Sequence, residues 1–378
     1  MGNALMQPQL RRFMYAKAAR NRMPLSGTFE LTPRCNMNCR MCYIRLSEEQ
    51  MHARGRERSA EEWIALGRAC AEQGMLFLLL TGGEPFLRKD FRQIYTELKK
   101  LGLLITINTN ATLIDEETVA WLREDAPAKI NVTLYGDSNE TYRRLCGHPA
   151  GYDAAIRAVD LLLDAGILVN INVSLTQQNL HSLPAIAEFG KSRGVQVNST
   201  AYMFPPVRRQ GNIDWEVRLS PEEAGHARAW AELLTVDDTL LARRLQALHA
   251  GCPAELSDED CARTADEKMG CTAGKASFWV TWDGSMTPCG MMTEPSVQPF
   301  DTGFESAWQS LCSQTEQIYL PPECSGCKMR RNCMICGALS MAEGTGDSRQ
   351  KPEYLCHMTA AYLQRMEEEY GRRFGENP

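Results

Sequence analysis

Several things are scarce in this 378-residue chain, and each scarcity removes a class of protein. No window of about 18 residues is apolar and free of charge, so the sequence predicts no membrane-spanning helix. The N-terminus lacks an apolar core. Residues 1–9 run straight into Arg11, Arg12, Lys17, Arg20 and Arg22, which is not the pattern of a secretory signal. Positive charge is also in short supply: 41 Lys and Arg against 47 Asp and Glu leave a formal net charge of -6, so no general positive field would draw nucleic acid. The exception is local, because residues 1–29 contain no acid and form a basic arm, read as a solvated leader with some helix, with docking of an acidic peptide or partner as the alternative. Fifteen cysteines are too dilute for a small secreted disulfide scaffold. A cytoplasmic location is expected, where thiols stay reduced.

The cysteines that are there are grouped. Cys35, Cys39 and Cys42 form the run CNMNCRMC directly after the alternating stretch GTFELTP. Three thiolates fill three of the four iron sites of a cubane cluster and leave one iron open, an arrangement of little use to a purely structural or electron-passing cluster. A second group comprises Cys271, Cys289, Cys324, Cys327, Cys333, Cys336 and Cys356, with Gly284 five positions before Cys289. By spacing alone, Cys324-x2-Cys327 with Cys333-x2-Cys336 would also suit zinc, but a single zinc would leave Cys271, Cys289 and Cys356 unused. Cys70 and Cys146 read as small buried residues, with a substrate role for Cys146 as the alternative.

Between these groups the pattern alternates. Helices are expected over 60–73, 90–100, 115–123, 152–165 and 180–192, and strands over 28–32, 75–80, 103–109, 129–135, 167–175 and 195–202. About six β-α units imply a parallel sheet curled as a full or partial barrel, with its site at the C-terminal strand ends. The polar residues gather there: the first cysteine run, Gly82-Gly83-Glu84-Pro85, Asn108, Asn110 and the Tyr135-Gly136-Asp137 turn. Residues 220–250 read as helical, with Ser220 and Glu223 forming a capping box. Beyond Gly251 the rhythm is lost, and a short hairpin is expected at 276–280 and 286–288 around Trp282-Asp283-Gly284. The expected organisation is a basic arm over 1–24, a barrel over 25–205, a bridging loop and helical segment over 206–250, a cysteine-rich domain over 251–358 and a terminal helix and tail over 359–378. The fold class is α/β, a partial (β/α)6 TIM-like barrel with a small cysteine-rich C-terminal auxiliary-cluster domain.

Cys35-x3-Cys39-x2-Cys42, followed by Tyr43 and by Gly82-Gly83-Glu84-Pro85, resembles the radical S-adenosylmethionine (SAM) superfamily. The resemblance implies that the three thiolates hold a 4Fe-4S cluster whose open iron binds SAM. It also implies that Gly82, Gly83, Glu84, Pro85, Asn108, Asn110, Asn172 and Ser174 line the SAM pocket, with Glu84 offering a carboxylate to the amino group. The implied chemistry is reductive cleavage of SAM to a 5'-deoxyadenosyl radical that abstracts hydrogen. The second group resembles the SPASM extension of these enzymes, which binds two auxiliary 4Fe-4S clusters, three in all. Carried over by position, Cys324, Cys327, Cys333 and Cys356 would hold the distal cluster. Cys271, Cys289 and Cys336 would hold the nearer one, with its fourth site open or filled by Cys252, Cys261 or Cys312. The SPASM pattern has three residues between its third and fourth central cysteines, where this chain has only Met334 and Ile335.

SPASM enzymes mostly modify peptides, and the Leu134-Tyr135-Gly136 turn resembles that of peptide maturases. The leading expectation is hydrogen abstraction from a peptide or small precursor protein to install a thioether or carbon–carbon crosslink. The alternatives are oxidation or epimerisation of a tetrapyrrole or sugar, and formylglycine formation in sulfatases. Only 34 residues precede Cys35, too few for a leader-recognition domain, so either a separate leader-binding protein or a direct grip on the substrate is expected, with the basic arm and Arg208-Arg209 as candidate contacts. Nothing resembles a flavin or nicotinamide site, so a ferredoxin or flavodoxin is expected as reductant, with no nucleic acid or membrane partner. Tyr202, Asp137, Glu188 and Asp214 are candidate acid–base groups.

Overall fold

The computed structural model describes residues 8–203, 205, 215–251, 267–344 and 346–375. Eight strands form one sheet: β1 Ser26–Glu30, β2 Phe77–Thr81, β3 Leu104–Thr109, β4 Lys129–Thr133, β5 Val169–Ser174, β6 Gln196–Thr200, β7 Ser277–Val280 and β8 Met286–Thr287. Their order is β6-β5-β4-β3-β2-β1-β7-β8. Strands β1 to β6 are parallel neighbours in sequence order, the partial barrel that the β-α rhythm predicts. Side chains divide by the period of two. Phe29, Leu78, Leu80, Ile105, Ile107, Ile130, Val132, Ile171 and Val173 are fully or almost fully buried against the helical layer, where Phe29 meets the Trp63 ring at 5.0 Å. The alternate positions, including Thr106, Asn108, Asn131, Thr133, Asn172 and Ser174, share the inner face.

The helices begin where their caps predict. Ser59 and Glu62 form a reciprocal capping box for Ala60–Glu72, and Ser220 with Glu223 does the same for Pro221–Thr235. The expected helix over 220–250 is two, because the chain turns at Val236 and restarts as Asp238–His249 on the Asp237 carboxylate, which accepts from Thr239 N and Leu240 N. The terminal helix is Glu353–Phe374, so Cys356 lies on it rather than before it. It crosses Pro221–Thr235 closely: a side chain at Gly225 would stand 2.4 Å from the Met358 carbonyl oxygen.

Two long-range features were not foreseen. The expected hairpin exists as antiparallel β7 and β8, but β7 also pairs in parallel with β1, Ser26 opposite Ser277 through Phe29 opposite Val280. The cysteine-rich region therefore continues the barrel sheet. The basic arm is in part the helix Pro8–Arg20, docked through buried Ala18 beside Leu25 and Ala276, with Arg11 over the Tyr15 and Phe77 rings. Arg208, Arg209 and Asp214 lie outside the described residues. Among the described residues, no helix is long and apolar enough to cross a membrane.

Candidate active site and cysteine groups

The loop that carries Cys35, Cys39 and Cys42 leaves the C-terminal end of β1 and is braced on every side. Arg88, 5% exposed, donates to the Leu31 carbonyl at 2.7 Å and the Arg58 carbonyl at 3.0 Å, while its other edge pairs with Asp90. Arg34 and Glu57 form a two-bond pair, both at 2.8 Å, and Thr32 donates to the same Glu57 carboxylate. The Cys35 sulfur accepts from Met37 N at 3.4 Å, and the Cys42 sulfur from Arg45 N at 3.2 Å. Burial pushes the Cys35 thiol up to about 12 despite the Met37 N–H, with Glu84, Cys39 and Cys42 adding to the rise. Cys39 is raised well above the ordinary thiol range by its hydrogen bond with Cys146 and then by burial.

Gly82 and Gly83 are explained by contact rather than by turn geometry. A Cβ on Gly82 would lie 2.6 Å from the Thr32 carbonyl oxygen, and one on Gly83 would lie 2.3 Å from that of Arg34. The two loops are joined there by Gly83 N to Thr32 O at 2.7 Å and Glu84 N to Arg34 O at 2.8 Å. Pro85 is buried and opens a short 3-10 turn, Pro85–Leu87. Glu84 does not present the free carboxylate that the sequence suggested. It is 0% exposed and accepts from Phe86 N, the Thr109 hydroxyl and Asn110 N at 2.8–3.1 Å, stapling the end of β2 to the end of β3. Burial lifts its carboxyl to about 7, against the pull of those three donors.

Asn110 reaches the cysteine loop: its amide donates to Asn36 Oδ1 at 2.9 Å and lies 3.7 Å from Cys35 Sγ. Asn108 accepts from Asn131 at 2.7 Å, and Asn172 pairs with Asn198 across β5 and β6 at 3.5 Å. Ser174 shares their face. Of the acid–base candidates, Asp137 accepts from the Ser182 hydroxyl at 2.8 Å. Glu188 is exposed on the helix Leu183–Arg193. Tyr202, 6% exposed, donates to Glu343 at 2.5 Å, and Arg218, which pairs with the same carboxylate, stacks on the Tyr354 ring at 3.7 Å. Arg88, Glu57 and Thr109 escaped sequence reasoning, because only contacts between segments distant in sequence reveal them.

The second cysteine group divides in space. Cys324 is lifted to about 11 by burial and then by Cys356, Cys333 and Cys327; burial likewise raises Cys356, with Cys333 and Cys327 adding to it. Burial also raises Cys336, whose thiol neighbour is Cys271, and Cys336 and Cys289 flank the small core of Met269, Met292, Ile318 and Ala338. Cys312 is buried in the helix Phe304–Thr315 with Arg22 and Glu316 as its charged neighbours and joins neither set. Cys252 and Cys261 lie outside the described residues. Among the described residues no three His, Cys, Asp or Glu side chains already converge on one point. The donor chemistry, thiols alone in three separate groups, fits iron–sulfur ligation.

Residues 29–190 match the Radical SAM superfamily model. The chain carries a radical SAM domain. Its C-terminal cysteine region is SPASM-like, and the whole is similar to known peptide-maturase radical SAM enzymes. Among curated proteins, the chain is 32% identical over 160 residues to the Fe-coproporphyrin III synthase of Methanosarcina barkeri (strain Fusaro / DSM 804), covering 42% of this chain and 39% of that one. It is 24% identical to the AdoMet-dependent heme synthase of the same organism, over 86% of this chain and 94% of that one. Among solved structures, Streptococcus suis SuiB bound to precursor peptide SuiA shares the fold, with a TM-score of 0.63 at 16% identity over 94% of this chain and 82% of that one. The radical SAM domain thus belongs to an enzyme that binds SAM, carries further cysteine groups consistent with auxiliary iron–sulfur sites, and acts on a peptide or another biomolecule.

Proposed function

We propose that this radical SAM enzyme oxidises a carboxylate-bearing tetrapyrrole. The observation that carries this reading is the correspondence with a heme synthase over 86% of this chain and 94% of that protein, which takes in barrel and cysteine-rich region together. A cleft of about 900 Å³ lies beside β6, with Asn198, Thr200, Lys191 and Arg228 on its walls beside the carboxylates of Glu232, Asp237 and Asp238, and with Met334 and Met358 from the cysteine-rich region. Methionine adapts to a flat apolar surface.

In this reading Cys35, Cys39 and Cys42 hold the SAM-binding cluster. Cys324, Cys327, Cys333 and Cys356 hold one auxiliary cluster, and Cys271, Cys289 and Cys336 hold the other. Bound there, the clusters and SAM would supply one-electron chemistry and a carbon-centred radical. The chain's own work is to fix the cysteine loop through Arg88, Glu57 and the Gly82-Gly83 contact. The backbone of Gly82, Gly83 and Pro85 shapes the SAM pocket, and Asn108, Asn110, Asn172 and Ser174 orient SAM, while Glu84 keeps the loop ends in place. A ferredoxin or flavodoxin in the cytoplasm would reduce it.

Peptide modification is the second reading, favoured by the fold shared with a precursor-peptide complex. There the substrate would be a peptide or small precursor protein, presented by a separate leader-binding protein. Anaerobically reconstituted protein, SAM and a strong reductant, supplied with iron-coproporphyrin III, should yield 5'-deoxyadenosine together with a lighter, decarboxylated porphyrin. If 5'-deoxyadenosine forms while the porphyrin is recovered unchanged, the tetrapyrrole reading is lost and candidate peptides become the substrates to test.

A further inference from the structure

The N-terminal helix Pro8–Arg20 has two unlike sides. Tyr15, Ala18 and Ala19 pack with Leu25, Phe77 and Ala276. Phe13, Lys17 and Arg20 follow the i, i+4, i+7 spacing of a single helix face. They are exposed, as is Arg12 beside them, and Phe13 is 62% exposed. No acid within residues 1–29 offsets these cations, and Arg22, just past the helix, is tied to Glu316. A chain of net charge -6 disfavours acidic macromolecules in general and draws them where cations stand together.

This helix sits beside one cysteine group and far from another. Ala276, which packs with Ala18, donates its N–H to the Thr272 carbonyl at 2.8 Å, and Lys275 N and Ser277 N reach the same oxygen at 3.0 Å. Cys271 directly precedes that tight turn and is exposed. The parallel pairing of Ser26 with Ser277 places the turn at the N-terminal end of β1. The first cysteine loop leaves the opposite end, beyond the five residues of β1, a strand length of about 17 Å. A protein seated on the helix therefore meets the Cys271 group first.

We propose that the exposed face of Pro8–Arg20 docks an acidic electron-carrier protein and holds it beside the group of Cys271, Cys289 and Cys336. This rests on that group holding an auxiliary cluster and on a ferredoxin or flavodoxin reducing the enzyme. Electron-transfer encounters are small and steered by charge. Here Arg12, Lys17 and Arg20 form a charged rim for the carrier's carboxylates, and Phe13 supplies an apolar centre. A lipid surface is the poorer fit, because Tyr15 and Ala18, the apolar side that would enter it, are packed against the protein.

The test is calorimetric titration of the anaerobically reconstituted full chain with a purified flavodoxin. Binding in the micromolar range is expected, weakening as salt screens the exposed charges. The triple variant Arg12→Glu, Lys17→Glu, Arg20→Glu should weaken it by about tenfold. The double variant Arg123→Glu, Arg243→Glu, at exposed cations elsewhere, should bind as wild type. A carbodiimide should join the Lys17 amine to a carboxylate of the flavodoxin. With a chemical reductant in its place, the triple variant should form 5'-deoxyadenosine at the wild-type rate, which separates lost docking from lost radical chemistry. Equal affinity of the triple variant and wild type overturns the proposal. So does cross-linking confined to other lysines, or wild-type binding to phosphatidylglycerol vesicles with none to flavodoxin. A wild-type chain that forms no 5'-deoxyadenosine with the chemical reductant overturns the radical reading beneath it instead.

Discussion

The two cysteine regions differ in what holds them. The first loop is fixed by the polypeptide: Arg88 clamps its start, Gly82 and Gly83 lie against its backbone, and the end of Asn139–Cys146 grips its middle. In the second region Cys356 lies on the helix Glu353–Phe374, but regular structure is sparse around Cys271 and Cys289. Cys271 is exposed, β8 has two residues, and the core beside Cys289 and Cys336 has five buried side chains. A region with so few buried contacts has low local stability, and metal coordination is what would supply the rest. The comparison separates a site braced by the polypeptide from one that a bound metal would have to brace.

Iron removal should break the comparison most visibly. With iron chelated, amides over 267–298 and 317–336 should exchange about a hundredfold faster, whereas those of β2 to β5 should change little. Equal acceleration in both regions would show that the barrel loop also leans on its cluster. Next in size is Gly83→Ala. Its new methyl has only rigid backbone to displace, so urea denaturation should show a loss of about 3 kcal/mol, at the upper end for overpacking. A loss below about 1 kcal/mol would mean that the two loops can part. Arg88→Met should cost about 2 kcal/mol by leaving the Leu31 and Arg58 carbonyls without their donor. The same method checks it, and a neutral result would remove Arg88 from the clamp.

A further effect concerns pH. Glu84 is lifted from its ordinary 4.5 to about 7 in the fold, so between those values the folded chain holds a proton that the unfolded chain has released. Its contribution is fully present below about pH 4.5 and lost as pH rises through about 7. The slope is at most about 1.4 kcal/mol per pH unit. Glu84→Gln carries no such proton, so its stability profile should lack that slope. Parallel profiles for the two proteins would remove the titration from Glu84.

Local features were legible where sequence neighbours define them. Ser220 with Glu223 announced a helix start, and the apolar runs at β2 and β3 announced buried strands. The first cysteine spacing, with Gly82-Gly83-Glu84-Pro85, announced the radical SAM domain. What stayed hidden depends on contacts across long stretches of chain. Glu84 looked like a pocket carboxylate, because nothing in the sequence brings Thr109 and the Asn110 amide to it. Cys146 looked like an ordinary buried thiol, because its contact with Cys39 spans over a hundred residues. The split of 220–250 into two helices turns on Asp237 choosing to cap rather than continue, a choice that local propensity leaves open.

The parallel pairing of β7 with β1 acts as a ruler. Leu31 to Arg34 lead from β1 into the first cysteine loop, and β8 leads directly to Cys289. The lateral register of two adjacent strands thus determines how far an electron must tunnel between the iron centres expected at those loops. A slip of two residues would shift one end by about 6.6 Å, and a slip of one would turn Trp279 to the opposite face. The spacing of iron centres bound at those loops would therefore be set by backbone hydrogen bonds, beyond the reach of any single cysteine substitution.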